Sequence, residues 1–553
     1  MANSADSNRH RWDRQALQVV LAIGLLVIGL IDRPARADSE SEIAAGRRIY
    51  LEGLLPSGQP VTGIRFDGSL ISGADAACVS CHRHSGMGGI EGTILVPPIT
   101  GKFLFSGENA MALLDPRSPR AISRADIPYS TDTLARAVLQ GVNRHHQPMN
   151  PLMPRYRLDD GAMQALAAYL ATLSTAYSPG VDDSAVRFAT IVTPGVDSER
   201  WALTEQMIRT GFQQRNYSQN AHSGQMRMPL ELLPHQSRQW TLSVWKLQGE
   251  PDSWGAQLQA YYQREPVFAV LSGLSQADWS PIHDFCEQQR LPCLFPHTRL
   301  PALTPSRYSL YFNRGLTLEA EVIASDLQGQ PHRPPRRILQ VHRGDAEGRH
   351  AAAALTAMLA GSGVRTEDMI LHSGQEQAEW TQRMRALQRG DGIVFWLESA
   401  DLSAFMKRNR RPPCKAFISG FLGGENIGKV AAGWGPHLRL VQPYDIKPNR
   451  QRRLDSLLPW LESHRLPLVD AVLQTEVFTT LMLLTDVMTL MLDNLYGDYL
   501  IERTEDMLAR MPNLSPYPHL SLANSQRYAS KGAYIGRWDK TGTWLLDSGW
   551  TVP

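Results

Sequence analysis

Cys78-Val79-Ser80-Cys81-His82 places two thiols and an imidazole within five residues. That spacing is the pattern of a c-type haem attachment site, in which both sulfurs bond the porphyrin and the histidine binds the iron. The competing readings fit less well. A thioredoxin-like redox pair needs no following histidine and opens a helix after a strand, whereas Ala74-Asp75-Ala76-Ala77 has no strand pattern. A structural zinc site requires a second ligand pair, and no second CxxC or HxxxH occurs.

Working outward toward the N-terminus, Arg9, Arg11 and Arg14 precede an apolar run from Val19 to Ile31, followed by the small-residue site Ala35-Arg36-Ala37. This pattern predicts a secretory signal peptide over residues 1–37 and a mature chain from Asp38. The run is shorter than the roughly 20 residues of a membrane span, and an uncleaved anchor is the other reading. No twin-arginine pair is present, so the general secretory route is expected, with a periplasmic location in a bacterium. Export agrees with the motif, because haem is joined to CxxCH outside the cytoplasmic membrane.

Charge excludes some partners. Lys and Arg total 56 against 54 for Asp and Glu, which gives no electrostatic case for nucleic acid or an anionic membrane. The apolar region Val469 to Leu495 is broken by Asp470, Glu476, Asp486 and Asp493, so it reads as a buried or amphipathic helix and leaves no span after signal removal. A chain of 553 residues exceeds a single core, so two or three domains are expected. Cys286 and Cys293 are candidates for a disulfide or for buried thiols.

An electron-transfer haem needs a second axial ligand. Met153 in Pro151-Leu152-Met153-Pro154-Arg155-Tyr156 is the first choice, because flanking prolines stiffen its loop and a Met/His pair raises the reduction potential. Met149 and the pair His145-His146 are the rivals. Helices are predicted over Ser41–Leu51, Thr131–Gly141 and from Asp159 onward, with Gly46, Tyr50 and Tyr169 suited to a close helix crossing.

The order GRRIYLEG, CVSCH, VPPITG and LMPRYRLDDGAMQALAAYLATL resembles a class I cytochrome c domain, here over residues 38–178. The resemblance implies an all-α fold and one haem c, bound covalently through Cys78 and Cys81 and ligated by His82 and Met153. It also implies that the other ring nitrogen of His82 bonds a proline carbonyl; Pro98 matches that place best and Pro97 is the alternative. Ser85-Gly86-Met87-Gly88-Gly89 is expected to let backbone pack against the porphyrin. The long stretch Gly101 to Thr131, with Phe103, Leu104 and Phe105, departs from the family and is a candidate haem-edge cover or partner surface.

Residues 179–183, containing Pro179-Gly180, read as a linker. Beyond it, strands at Phe188–Val192, Pro266–Leu271, Arg337–His342 and Gly392–Leu397 alternate with helices such as Glu199–Gln213 and Ala277–Gln289, the signature of parallel sheets covered on both faces. PVFAVLSGLSQADWSPIHDFCEQQRLPCLFPHTRLP and YSLYFNRGLTLEAEVIASDL resemble the type I periplasmic-binding-protein fold of branched-chain amino-acid receptors, here over residues 184–553. This implies two α/β lobes closing on a small molecule, with Ser272, Gly273, His297 and Thr298 facing the cleft at strand ends. No residue matches the acid with which amino-acid receptors hold an ammonium.

Two motifs are set aside. Gly423 to Lys429 has Walker A spacing, but Val430 stands where a Ser or Thr must bind magnesium. The aromatic stretch Tyr528 to Trp550 reads as a terminal hairpin packed on a lobe.

The expectation is therefore a multidomain protein: an all-α cytochrome c domain followed by a two-lobed α/β binding-protein-like domain. It is expected to be a periplasmic electron carrier rather than a catalyst. Its redox partner would be a dehydrogenase or another cytochrome, and the second domain would recruit the dehydrogenase or sense its substrate. The alternative is a solute receptor for a transporter or signalling partner, with the haem as redox sensor.

Overall fold

Gly46 sets how the first unit is built. A Cβ at this position would lie 1.9 Å from the carbonyl oxygen of Ala165 and 2.8 Å from Cβ of Tyr169. Helix 39–52 therefore crosses the helix Asp160–Thr172 at backbone contact, and the rings of Tyr50 and Tyr169 meet at 5.4 Å beside the crossing. Asp159 caps the second of these helices, accepting from the Ala162 amide at 2.8 Å. Between them, the helix Thr131–Gln140 starts at a Ser130–Thr133 capping box and stops at Gly141, whose φ of 70° is left-handed.

The computed structural model describes residues 39–108, 126–225, 238–329, 335–372, 376–409, 411–424, 427–434, 437–523 and 526–553. The signal segment 1–37 and residues 109–125 of the long stretch after Gly101 lie outside them. The chain divides into two compact units, 1–176 and 177–553.

The all-α expectation for the first unit is corrected. β1 (Thr62–Ile64) pairs antiparallel with β2 (Leu70–Ser72), a second hairpin joins β3 (Gly89–Glu91) to β4 (Ile94–Val96), and β5 (Arg155–Arg157) completes the order β2-β1-β5. Each of these strands has three residues, too few to show a period of two. The sheet adds Val61 and Ile71 to an apolar cluster that includes Ile49, Tyr50, Leu134 and Leu166.

The expected linker 179–183 is also corrected. The Ser178 amide donates to the Leu495 carbonyl at 3.1 Å, and the Arg187 amide donates to the Gly180 carbonyl at 2.8 Å. Gly180, with a φ of 86°, sits where a Cβ would be 2.3 Å from the Phe268 amide nitrogen. Pro-Gly marks a tight turn here, and that turn is packed into the second unit.

The second unit repeats one topology twice. Its first sheet contains β6 (Ala185–Val192), β7 (Gln239–Lys246), β8 (Ala269–Leu271), β9 (Leu274–Ser275), β10 (Cys293–Leu294), β11 (His297–Thr298) and β12 (Ser309–Leu310), all parallel. β8 and β9 are two parts of one strand interrupted at Ser272, and β10 and β11 are two parts of another interrupted at Phe295; both interrupting residues have positive φ. The strand order thus reads 2-1-3-4-5, a doubly wound sheet.

The second lobe holds β13 (Arg337–His342), β14 (Arg365–Ile370), β15 (Gly392–Trp396), β16 (Lys415–Ser419) and β17 (Leu438–Gln442) in the same parallel order. A hairpin of β18 (Tyr534–Trp538) and β19 (Trp544–Leu546) extends the β17 edge antiparallel. Alternate residues point to opposite faces, so Leu339, Ile393 and Phe395 enter one apolar cluster while Ile338, Val394 and Phe417 enter the other. Both faces are covered, as parallel sheets require.

The helix Ala471–Met491 is long and apolar enough to cross a membrane, but 72% of its apolar window is buried inside the second unit. Its neighbours there include the helices Gly497–Leu508 and Ser198–Gln225. Cys286 and Cys293 are buried free thiols in one apolar cluster, and their mutual hydrogen bond followed by burial pushes the Cys286 thiol well up.

Candidate functional sites

The motif turn lies in the first unit. Val79–His82 forms a single helical turn with Cys78 at its N-cap, so Cys78 and Cys81 are one turn apart. Cys81 is exposed and Cys78 half-buried. Burial pushes the Cys78 thiol up to about 12. His82 is buried, and burial pulls its imidazole down to about 4, against the opposing effect of the Pro97 carbonyl. Nδ1 of His82 donates to the Pro97 oxygen at 3.0 Å, which fixes the ring and leaves the lone pair on Nε2.

The acceptor is Pro97, not Pro98. Pro98 holds the residue before it in extended backbone, and the carbonyl of that residue reaches the ring. Gly88 makes the approach possible: a Cβ there would sit 2.2 Å from the Val96 oxygen and 2.9 Å from the Pro97 oxygen. The glycine segment 86–89 therefore packs on the 96–99 loop, where the Ile99 amide donates to the Gly86 carbonyl at 2.8 Å.

Met153 is half-buried at the border of the apolar cluster that Cys78 also borders. Its amide donates to Asn150 at 3.0 Å, closing the turn before β5. Tyr156 of β5 lies beside the motif: burial, then the thiols of Cys78 and Cys81, push its hydroxyl well up. The rival histidines are engaged at the surface. His145 pairs with Asp126 at 2.9 Å, and Arg136 donates to Nδ1 of His146 at 3.3 Å. Phe103 and Leu104 are buried in the short helix Gly101–Phe105.

A second site is a cleft of about 570 Å³ between the lobes of the second unit, within the size range of small-molecule pockets. It opens beyond the carboxyl ends of β11, β12, β15, β16 and β17, where strand-end loops converge. His297 and Thr298 line it, whereas Ser272 and Gly273 do not. The reason is the interruption at Ser272, whose φ is 44°. The strand resumes as β9, so the turn that reads as a strand end lies inside the sheet, with the Gly273 carbonyl accepting from the His297 amide at 2.7 Å. A Cβ at Gly273 would meet the Trp279 ring at 2.5 Å.

The sequence reading missed most of the cleft's polar framework. Nη2 of Arg200 donates to Nε2 of His297 at 3.1 Å and pairs with Asp470 at 2.9 Å. Arginine can only donate, so His297 carries its proton on Nδ1 and gives it to Glu476 at 2.5 Å. The Tyr517 hydroxyl also donates to Glu476 and accepts from Asn313 Nδ2 at 2.7 Å. Across the cleft, Arg299 holds Glu347 at 3.0 Å and also pairs with Glu398. Behind the β16 loop, buried Glu319 accepts from the Ser419 hydroxyl and from the Phe421 amide at 2.9 Å, and burial pushes its carboxyl up to about 8. No local motif signals these contacts, because their partners lie up to 270 positions apart, from Arg200 to Asp470.

Residues 68–174 match the family model described as Cytochrome c. No curated protein matches the chain in sequence. Among solved structures, the chain is similar to a fatty acid ABC transporter substrate-binding protein from Thermomonospora curvata, at 11% identity and a TM-score of 0.47, covering 68% of this chain and 95% of that one. It is also similar to a branched-chain amino acid ABC transporter from Thermus thermophilus with bound valine, at 10% identity and a TM-score of 0.46 over 67% and 97% of the two chains. A putative branched-chain amino acid ABC transporter from Rhodospirillum rubrum gives 10% identity and 0.45 over 66% and 99%. The cytochrome c family implies a covalently bound haem c, and the residues of the motif turn fit that group through two thiols one helical turn apart and one buried, oriented imidazole. Residues 68–174 thus resemble a cytochrome c domain, and the second unit is a two-lobed α/β fold built on two doubly wound sheets.

Proposed function

We propose that this protein is an exported mono-haem electron carrier, acting in the periplasm, whose second domain binds a small solute. The observation that carries the reading is the motif turn, where His82 is buried and its Nδ1 is committed to Pro97. In this reading Cys78 and Cys81 attach one haem c, and His82 and Met153 ligate it. When bound, the haem supplies a one-electron Fe(III)/Fe(II) couple. The chain's own residues orient the ligand ring through Pro97, let the loop approach through Gly88, and exclude water with Leu104 and Met163. The electron partner is a dehydrogenase or another cytochrome.

The test is covalent attachment. Protein expressed with a c-type haem maturation system is expected to carry one haem per chain that survives denaturation, while Cys78→Ala/Cys81→Ala carries none. Haem retained covalently by the double variant, or absent from the wild type, overturns the reading.

The cleft favours a second role alongside the first. Its volume and position at strand ends support ligand sensing, which would couple solute occupancy to electron delivery.

A further inference from the structure

The cleft's charges have already chosen one another. Of the three carboxylates that line it, Glu398 is held by Arg299, Asp470 by Arg200, and Glu476 by His297 and Tyr517. The lining arginines are Arg200, Arg299 and Arg450, so the formal charges of the lining side chains cancel. Glu476 is 4% exposed and Tyr517 1%, so these pairs are shielded from solvent that would otherwise replace a lost partner.

An amino-acid ligand would have to take one of these carboxylates for its ammonium. Taking Glu476 strands the protons of His297 and Tyr517, taking Asp470 leaves Arg200 without its acid, and taking Glu398 breaks its pair with Arg299, which then keeps Glu347 alone. At Arg200 and Arg299 a carboxylate ligand meets the mirror problem, since both already hold acids. An uncharged ligand disturbs none of them.

The walls add a shape preference. Phe421 and Tyr444, both half-buried, meet edge to face at 5.5 Å on the second lobe, and Tyr444 continues to Tyr517 at 5.5 Å. Phe312 stacks on the other side of Tyr517 at 5.6 Å. Phe312 and Tyr517 are buried and back the two half-buried rings, so Phe421 and Tyr444 are the aromatic surface that suits a further ring in an offset or edge-on contact.

We propose that the cleft takes an uncharged aromatic molecule bearing hydroxyl or carbonyl oxygens, such as an aromatic alcohol or aldehyde, in place of an amino acid. This rests on the reading of the cleft as a solute site. The arrangement supplies the ring surface of Phe421 and Tyr444 for the ring and the lining hydroxyls of Thr298 and Ser399 for the oxygens.

The experiment is calorimetry and thermal shift on the full haem-loaded chain with size-matched probes: benzyl alcohol and its ring-hydroxylated and methoxylated derivatives, phenylalanine, leucine, benzoate and benzylamine. The expected result is that a neutral aromatic alcohol binds at least about tenfold tighter than every charged probe. Tyr444→Ala and, as a milder change, Phe421→Leu should each weaken that binding severalfold, while Glu476→Gln leaves the preference for neutral probes in place. Tighter binding of phenylalanine, leucine, benzoate or benzylamine overturns the ligand class but keeps the solute site. Failure of every probe to bind overturns both.

Discussion

The motif turn and the interlobe cleft use burial in opposite ways. At the turn, a buried imidazole has one nitrogen fixed by Pro97, beside a half-buried Cys78 and an exposed Cys81. In the cleft, Arg200 is paired with Asp470, Arg299 with Glu347, and His297 with Glu476. A site built for a resident group keeps donor atoms unspent, whereas a site whose charges are spent internally selects ligands that bring no charge.

The comparison breaks most visibly at Met153. If the open side of the His82 pocket is completed by this thioether, Met153→Ala removes the methionine-to-iron charge-transfer band. It should also lower the reduction potential by on the order of 0.1 V, a modest part of the roughly 0.8 V that axial ligands command. Retention of the band, read by absorption spectroscopy with a potentiometric titration, rejects Met153 in favour of Met149 or a histidine.

Arg299 probes the spent charges. Its removal leaves Glu347 and Glu398 facing each other without a cation, and Glu347 is only 14% exposed. Arg299→Ala is expected to destabilise the second unit by about 1–3 kcal/mol and to open the cleft. Calorimetry resolves the loss, and solution scattering resolves the opening; an unchanged unfolding transition would mean that this triad contributes nothing to closure.

The smallest effect is expected at Glu319, and it depends on pH. Its folded carboxyl titrates at about 8, above the ordinary 4.5, because burial penalises the charge. Stability linked to this group is fully present below the ordinary value and is lost as pH rises through 8. Glu319→Gln keeps an uncharged side chain throughout, so its unfolding midpoint should gain on wild type as the pH is raised from about 6 to about 9. Parallel midpoints across that range would show that the donors from Ser419 and Phe421 hold the carboxylate ionised.

The sequence reading succeeded where a single segment carries its own constraint. Gly46 and Tyr169 announce a helix crossing, and the structure puts a Gly46 Cβ within 1.9 Å of the Ala165 carbonyl oxygen. Arg337–His342 appears as a strand with the predicted bounds, because a fully buried parallel strand is a continuous apolar-rich run. It failed where a feature is short or shared. Asp67-Gly68 is a hairpin signal, and it joins three-residue strands that make the first unit less than all-α. Ser272-Gly273 looks like a strand end but is a kink with strand on both sides, so its backbone remains in the sheet.

The sequence by itself determined the haem motif, the positions of the principal helices and the alternation of strands with helices in the second half. Each of these is written in neighbouring residues through spacing, capping or periodicity. Only the tertiary structure decided that Pro97 rather than Pro98 orients His82, that His297 and not Ser272 reaches the cleft, and that Glu476 is already taken by His297 and Tyr517. Those outcomes depend on which distant chain segments arrive at the same place with a donor facing an acceptor. Local spacing carries no record of that.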